Sequence, residues 1–236
     1  MFTVRFDPSG LERAMNDIAA RQLPFAVAAA LTDTALEARK AVVSEMERAF
    51  DRPTPFTLNA FEVKPAKKGE PFAEVRQKLI SGRRHFLRVE ADGGARPSTG
   101  QEKLLFAKLG LLGSVHSVIP ARDARINQYG NWSAGQRNQV YSALGAQRDA
   151  ASNTTERSRK RNKSRSTYFI PKSGLSPNAV FERKANGQIG VVLAFTPKAP
   201  VYPQRFDFDQ VAADRAAAVF PDRLAERFRS ALATAR

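Results

Sequence analysis

A chain of 236 residues is long enough for one large domain or two small ones with a real core, and 42% hydrophobic content places it with globular rather than disordered proteins. The net charge of +15 favours nucleic acid or an acidic protein surface as partner and says nothing of fold. The chain has no cysteine, which excludes a disulfide framework and a thiolate zinc site and agrees with assembly in a reducing cytoplasm.

Phe2, Val4 and Phe6 alternate with polar residues, the pattern of a short strand. No basic region followed by an apolar run begins the chain, so no signal peptide is expected. The longest apolar run, residues 25–31, has seven members, well short of the roughly 20 needed to span a membrane. Ser9 and Glu12 form a capping box for a helix with Leu11, Met15 and Ile18 on its buried stripe. Pro24 suits the first turn of a second, longer helix reaching Phe50. Leu31, Ala35, Ala38, Val42, Met46 and Ala49 share one face of it, and Glu37, Lys40, Glu45 and Arg48 fall mostly off that face.

Pro53 and Pro55 end this helix. Residues 58–66 and 71–80 read as two strands joined by Lys67-Lys68-Gly69-Glu70, and residues 85–90 as a third. Residues 92–97 form a turn. Thr99 and Glu102 make a second capping box, opening a short helix that carries Leu104, Leu105 and Leu109 and stops at Gly110. Residues 115–120 read as a strand.

Gln128-Tyr129-Gly130-Asn131-Trp132-Ser133-Ala134-Gly135-Gln136 is a turn running into a helix start. Gly130 and Asn131 tolerate left-handed backbone, Ser133 caps the N–H three residues on, and Gln136 is placed to reach back to Ser133. The helix should run from Ala134 to Leu144 and close at Gly145. The lone tryptophan, Trp132, has two readings: an anchor at an interface, or a ring that packs its own turn against the core.

Residues 146–166 change character. From Gln147 on they contain no aromatic, Val, Ile, Leu or Met, and Arg157, Arg159, Lys160, Arg161, Lys163 and Arg165 put six cations within nine residues. Such a stretch is expected to be a flexible arm or loop in isolation. It either contacts phosphates without reading sequence or is a solvated loop that orders against an acidic neighbour; with little aromatic interleaving, base stacking is not expected. Tyr168-Phe169-Ile170 and residues 189–195 resume strand patterning, with Asn186-Gly187 as a hairpin turn. The C-terminal region is helical and split by Pro221, with Val211 and Val219 serving the first half and Leu224, Phe228 and Leu232 the second.

Strands flank helices without regular alternation, which gives an α+β class: a mixed or antiparallel sheet, a long amphipathic helix and a helical C-terminus, interrupted by the basic arm. The division expected is an N-terminal α+β part over 1–145, the arm over 146–166, and strands and helices over 167–236 that complete a single domain. Two lobes divided at the arm are the alternative.

No catalytic constellation stands out, and no cofactor is expected. Glu62-Val63-Lys64 and Glu182-Arg183-Lys184 have the Glu-x-Lys form of a metal-dependent nuclease strand, which needs a second carboxylate alongside; Asp51 precedes the first. Such triplets are common by chance. His85 and His116 have no metal-site spacing, and neither a G-x-S-x-G elbow nor a phosphate-binding G-x-x-x-x-G-K loop occurs.

Several short elements occur in a telling order. Leu23-Pro24-Phe25-Ala26 precedes Ala30-Leu31-Thr32. Phe50-Asp51-Arg52-Pro53-Thr54-Pro55-Phe56-Thr57 follows, then Gly93-Gly94-Ala95-Arg96-Pro97, then Glu102 with Leu105. Gly130-Asn131-Trp132-Ser133-Ala134-Gly135-Gln136, Tyr168-Phe169 and Tyr202-Pro203-Gln204-Arg205-Phe206-Asp207-Phe208 complete the series. This order resembles the phage minor tail protein Z family, whose G-N-x-S-x-G-Q junction is the strongest of the matching elements; residues 146–166 fit it less well. The resemblance implies a structural virion protein that completes the tail at its head-proximal end, without catalytic residues. Neck and tail components of that kind form closed homo-oligomeric rings, here of about six or twelve subunits, between neighbouring neck and tail proteins around the DNA channel. The expected location is therefore the virion, in its tail or neck, after assembly in the host cytoplasm. The alternative is a non-specific DNA-binding protein that uses residues 157–165.

Overall fold

The computed structural model describes residues 9–78, 87–162, 165–171 and 178–234, with side chains from Gln22 to Ala233 within those ranges. The chain is α+β, and it divides into two compact units: Met1–Asp92 with Arg205–Arg236, and Gly93–Gln204. The division therefore falls at the two ends of residues 93–204 and not at 146–166, which lie wholly inside the second unit. The expected strand at 2–6 and the Ser9/Glu12 side-chain box lie outside what is described.

The first unit is built on one long helix, α1 (Ser9–Ala49), with Pro24 in its interior. Two helices were expected here. A proline removes one backbone donor and costs roughly 3 kcal/mol; the alanine-rich sequence after it and tertiary packing outweigh that. Ala35, Ala38, Val42 and Met46 of the expected stripe are buried, while Leu31 and Ala49 are half-buried at its margins. The chain leaves α1 through Arg52 in left-handed backbone (φ 48°). Thr54 then caps the single turn α2 (Pro55–Leu58) by accepting the Thr57 N–H at 3.1 Å. The hairpin follows as expected, with shorter strands: β1 (Phe61–Lys64) pairs antiparallel with β2 (Glu74–Gln77).

Residues 85–90 do not form the expected strand where they are described: Arg88–Asp92 is a short helix, α3. Leu87 is buried, and its carbonyl accepts the N–H of both Glu90 and Ala91, so one apolar anchor starts a turn that a period-two reading misassigns. The chain returns to this unit in α7 (Phe208–Thr234), which continues through Pro221 instead of splitting there. α7 runs antiparallel to α1, with Arg215 paired to Glu37 at 3.4 Å and Arg227 to Asp33 at 2.6 Å. Leu232, expected on the buried stripe, is exposed, and its neighbour Ala231 is buried instead. Val42, Met46, Ala60, Phe61, Leu87 and Phe206 form the core, with Phe206 edge-on to Phe50 at 5.9 Å and to Phe61 at 6.4 Å. Each fully buried side chain of this size contributes on the order of 1.5–3 kcal/mol.

The second unit opens and closes on a two-residue pairing, β3 (Gly94–Ala95) with β8 (Val201–Tyr202). Helix α4 (Gly100–Leu109) has both ends as the sequence specifies: a reciprocal Thr99/Glu102 capping box, and Gly110 in left-handed backbone. An antiparallel sheet of four strands has the order β4 (Ser117–Pro120), β7 (Ile189–Thr196), β6 (Ala179–Arg183), β5 (Thr167–Phe169). A register shift at Val180/Phe181 sets Glu182 opposite Gly190. Leu105 and Phe106 of α4 and Val140 and Tyr141 of α5 (Ala134–Ala143) pack on Tyr168, Val180, Val192, Leu193 and Phe195 of the sheet.

Candidate functional site: a polar basic cleft

The turn before α5 is held by its own amides. Asn127 Oδ1 accepts the N–H groups of Tyr129 and Asn131, both at 3.0 Å, and Gly130 takes φ 75°. Ser133 caps α5 as expected, accepting the Gln136 N–H at 3.4 Å. Gln136 itself does not reach back to Ser133. Its side chain is buried (1% exposed) and turns inward, where Oε1 accepts the Arg125 N–H at 2.7 Å and Trp132 Nε1–H at 2.9 Å. Its Nε2 donates to the Asp123 carbonyl at 3.3 Å. A buried amide with three local partners gains more by satisfying them than by a solvent-side cap. Trp132 is half-buried in the second unit's core and tilted against Tyr141 at 6.3 Å, so its ring packs its own turn. Burial pushes the Tyr141 hydroxyl up to about 12, with the Glu102 charge adding to the effect.

This turn positions Arg125. Its Nη2 donates at 3.0 Å to Oε1 of Glu182, a side chain 3% exposed on β6. The Tyr168 hydroxyl donates to the same oxygen at 3.3 Å and lies 3.1 Å from Gln139 Oε1. Burial, and then the Glu182 charge, raise the Tyr168 hydroxyl above the usual tyrosine range.

Where they are described, residues 146–166 are not a structureless arm. Ala146 belongs to the core. Asp149 caps a 3-10 turn, Ala150–Ser152, and Thr155 caps a short helix, α6 (Glu156–Arg161). The segment is tied back to α5: Thr154 N–H donates to the Ser142 carbonyl at 3.0 Å, Ser142 Oγ to the Ser152 carbonyl at 2.8 Å, and Arg159 Nη2 to the Ala143 carbonyl at 2.7 Å. Composition gave no apolar anchor here, and polar caps and backbone bonds supply the order instead.

Between α5, α6 and the start of β5 lies a cleft of about 860 Å³, and among the described residues that line it there is no acidic side chain. Arg125, Arg159 and Arg165 line it together with Ser, Thr, Asn and Gln. Arg157, Lys160 and Arg161 are exposed on α6 outside the lining, and Lys163 lies outside the described residues. The sequence grouped the six cations by proximity in the chain; the fold divides the five that are described between the lining and the outside, and brings in Arg125 from a turn more than thirty positions away. Only the Gly-rich turn near Arg125 could have hinted at that.

The carboxylates considered for metal chemistry are engaged with cations. Glu62 pairs with Arg76 at 2.9 Å, Asp51 with Arg52 at 2.9 Å, and Glu182 with Arg125. Lys64 lies 3.7 Å from Glu70, and Lys184 lies 3.3 Å from Asp123. Burial opposes ionisation of Asp123, but Lys184 and Arg122 hold its carboxyl below the usual range. Among the described residues no cluster of three or more His, Asp or Glu could hold a metal ion. His116 Nε2 meets the Arg96 carbonyl at 3.0 Å, and His85 lies outside the described residues. Among them, too, no helix is long and apolar enough to cross a membrane. Comparison with protein-family models, with curated proteins and with solved structures finds no match for this chain.

Proposed function

We propose that this chain is a structural component of a tailed bacteriophage virion: a tail-completion protein that forms a homo-oligomeric ring where the tail joins the DNA-filled head. The ordered series of short elements resembling the minor tail protein Z family carries this reading. Its support from the fold is that these elements serve architecture. Arg96 of the G-G-x-R turn is bound to Glu102 of the following helix, Phe50 of the F-D-R-P-T element meets Phe206 of the closing element, and Gln136 of the junction organises its own turn. Phage particles assembled without the protein are expected to leave filled heads and tails unjoined under the electron microscope; normally joined particles would overturn the reading.

A second reading, non-specific DNA binding through the basic segment, is favoured by one observation. No described acid lies within salt-bridge range of Arg157, Arg159, Lys160, Arg161 or Arg165, whereas many cations elsewhere in the chain are paired.

A further inference from the structure

We propose that the cleft between α5, α6 and β5 is a phosphate-binding groove that seats one strand of a nucleic-acid backbone, with Arg125, Arg159 and Arg165 in its lining. This deepens the DNA-binding reading and is independent of the virion reading.

The described lining combines cations with neutral donors and contains no acid. Phosphate oxygens are contacted in this mixed way, by guanidinium, hydroxyl and amide groups together. Arg125 is anchored by buried Glu182 through one nitrogen, and Arg159 by the Ala143 carbonyl, also through one. Each guanidinium is thus oriented and keeps further N–H groups for a ligand. Ser158 Oγ accepts from Asn162 Nδ2 at 3.3 Å, which leaves its own hydroxyl proton to donate. Arg165 is exposed at the rim. Among the described lining residues the one aromatic, Tyr168, is buried with its hydroxyl already engaged, so these residues offer no stacking platform for bases. Recognition is then of backbone charge, without sequence readout.

Two variants that remove the same charge separate a built groove from bulk positive charge. Binding of a short fluorescent duplex of mixed sequence is measured by anisotropy between about 50 and 200 mM salt. Arg159→Gln with Arg165→Gln removes two lining cations; Arg157→Gln with Arg161→Gln removes two outside the lining. The first pair is expected to weaken binding by about tenfold or more and to lower the salt slope by about two; the second should weaken it only about threefold or less. Circular dichroism checks folding, and Arg165→Gln alone repeats the test without touching the Arg159 bond to Ala143. Equal losses from the two pairs would overturn the groove and leave bulk charge. No binding by the wild type would remove the DNA reading altogether. Polyglutamate competing as well as unlabelled duplex would overturn the groove in favour of an acidic protein partner.

Discussion

Arg96 and Glu102 meet at two points, Nη1 to Oε2 and Nη2 to Oε1, both at 2.9 Å. The same carboxylate accepts the Thr99 N–H at 2.7 Å and the Val118 N–H at 3.0 Å, so it joins the entry turn of the second unit, the start of α4 and strand β4. Burial alone would raise the Glu102 pKa, but the guanidinium and the backbone donors hold it at about 2, below the ordinary 4.5. A folded-state pKa lowered in this way gives stability that is complete above the unfolded value and fades as the pH falls from 4.5 towards 2. Glu102 should therefore contribute roughly 2–3 kcal/mol to the stability the wild type loses over that window in an acid titration. Glu102→Gln should be less stable at neutral pH and have a shallower slope than the wild type over the same range, the slope that stays coming from other carboxyls held low, such as Asp123. A variant whose acid curve parallels the wild type would refute the assignment.

Gly190 has no room for a side chain. An added Cβ would lie 2.6 Å from Asp123 Cγ, and that carboxylate is fixed by Lys184 and by the Val191 N–H at 3.2 Å. Gly190→Ala should cost about 1–3 kcal/mol in denaturant unfolding. Asp123→Ala in the same chain should recover part of that loss, and a double-mutant cycle with no coupling would show that the clash is not the cause.

Gln136 satisfies Arg125, Trp132 and Asp123 from a buried position. Gln136→Leu keeps the volume but leaves those groups without partners, at a cost of roughly 1–3 kcal/mol. Tryptophan fluorescence reports it directly, since Trp132 is the only tryptophan. Its emission should change in the folded variant, and an unchanged spectrum with unchanged stability would rule out the role given to this amide.

Pro221 sits exposed within α7. Replacing it with alanine restores a backbone donor and removes the ring's clash with the preceding turn, so Pro221→Ala should raise the melting temperature, with a gain of roughly 1–3 kcal/mol. A lower melting temperature would mean that the ring contributes packing that alanine cannot replace.

Light scattering on the purified protein gives the subunit number. The ring reading expects about six or twelve copies, or a monomer that closes into a ring when its neck and tail neighbours are added. A monomer that stays single in their presence would count against it.

The elements legible in the sequence are those whose signals lie within a few residues of one another. Thr99, Glu102 and Gly110 specify both ends of α4, Asn186-Gly187 marks the β6–β7 turn, and alternation around Lys67–Glu70 marks the first hairpin. The rest depends on partners distant in the chain. Whether a helix survives Pro24 or Pro221 is decided by α1 against α7, and Asp33 reaches Arg227 across most of the sequence. Ser133 and Gln136 have capping-box spacing, yet the buried groups of residues 123–132 claim the Gln136 side chain. The six cations of residues 157–165 were legible as charge, but not the cleft, because two of its walls come from segments with no charge signal of their own.

The second unit interrupts the first between α3 and α7, and this sets the order of events on the ribosome. Helix α1 is translated before residues 93–204, but the helix that covers it follows only after all of them. Until then Val42, Met46 and Phe61 lack the layer from α7 and its entry that completes their core. The nascent chain therefore carries an uncovered apolar face while the inserted unit, whose core lies within its own span, can fold first. A chaperone that holds α1 during translation would act on this interval, and truncation before α7 would leave the first unit open although every residue of the second is present.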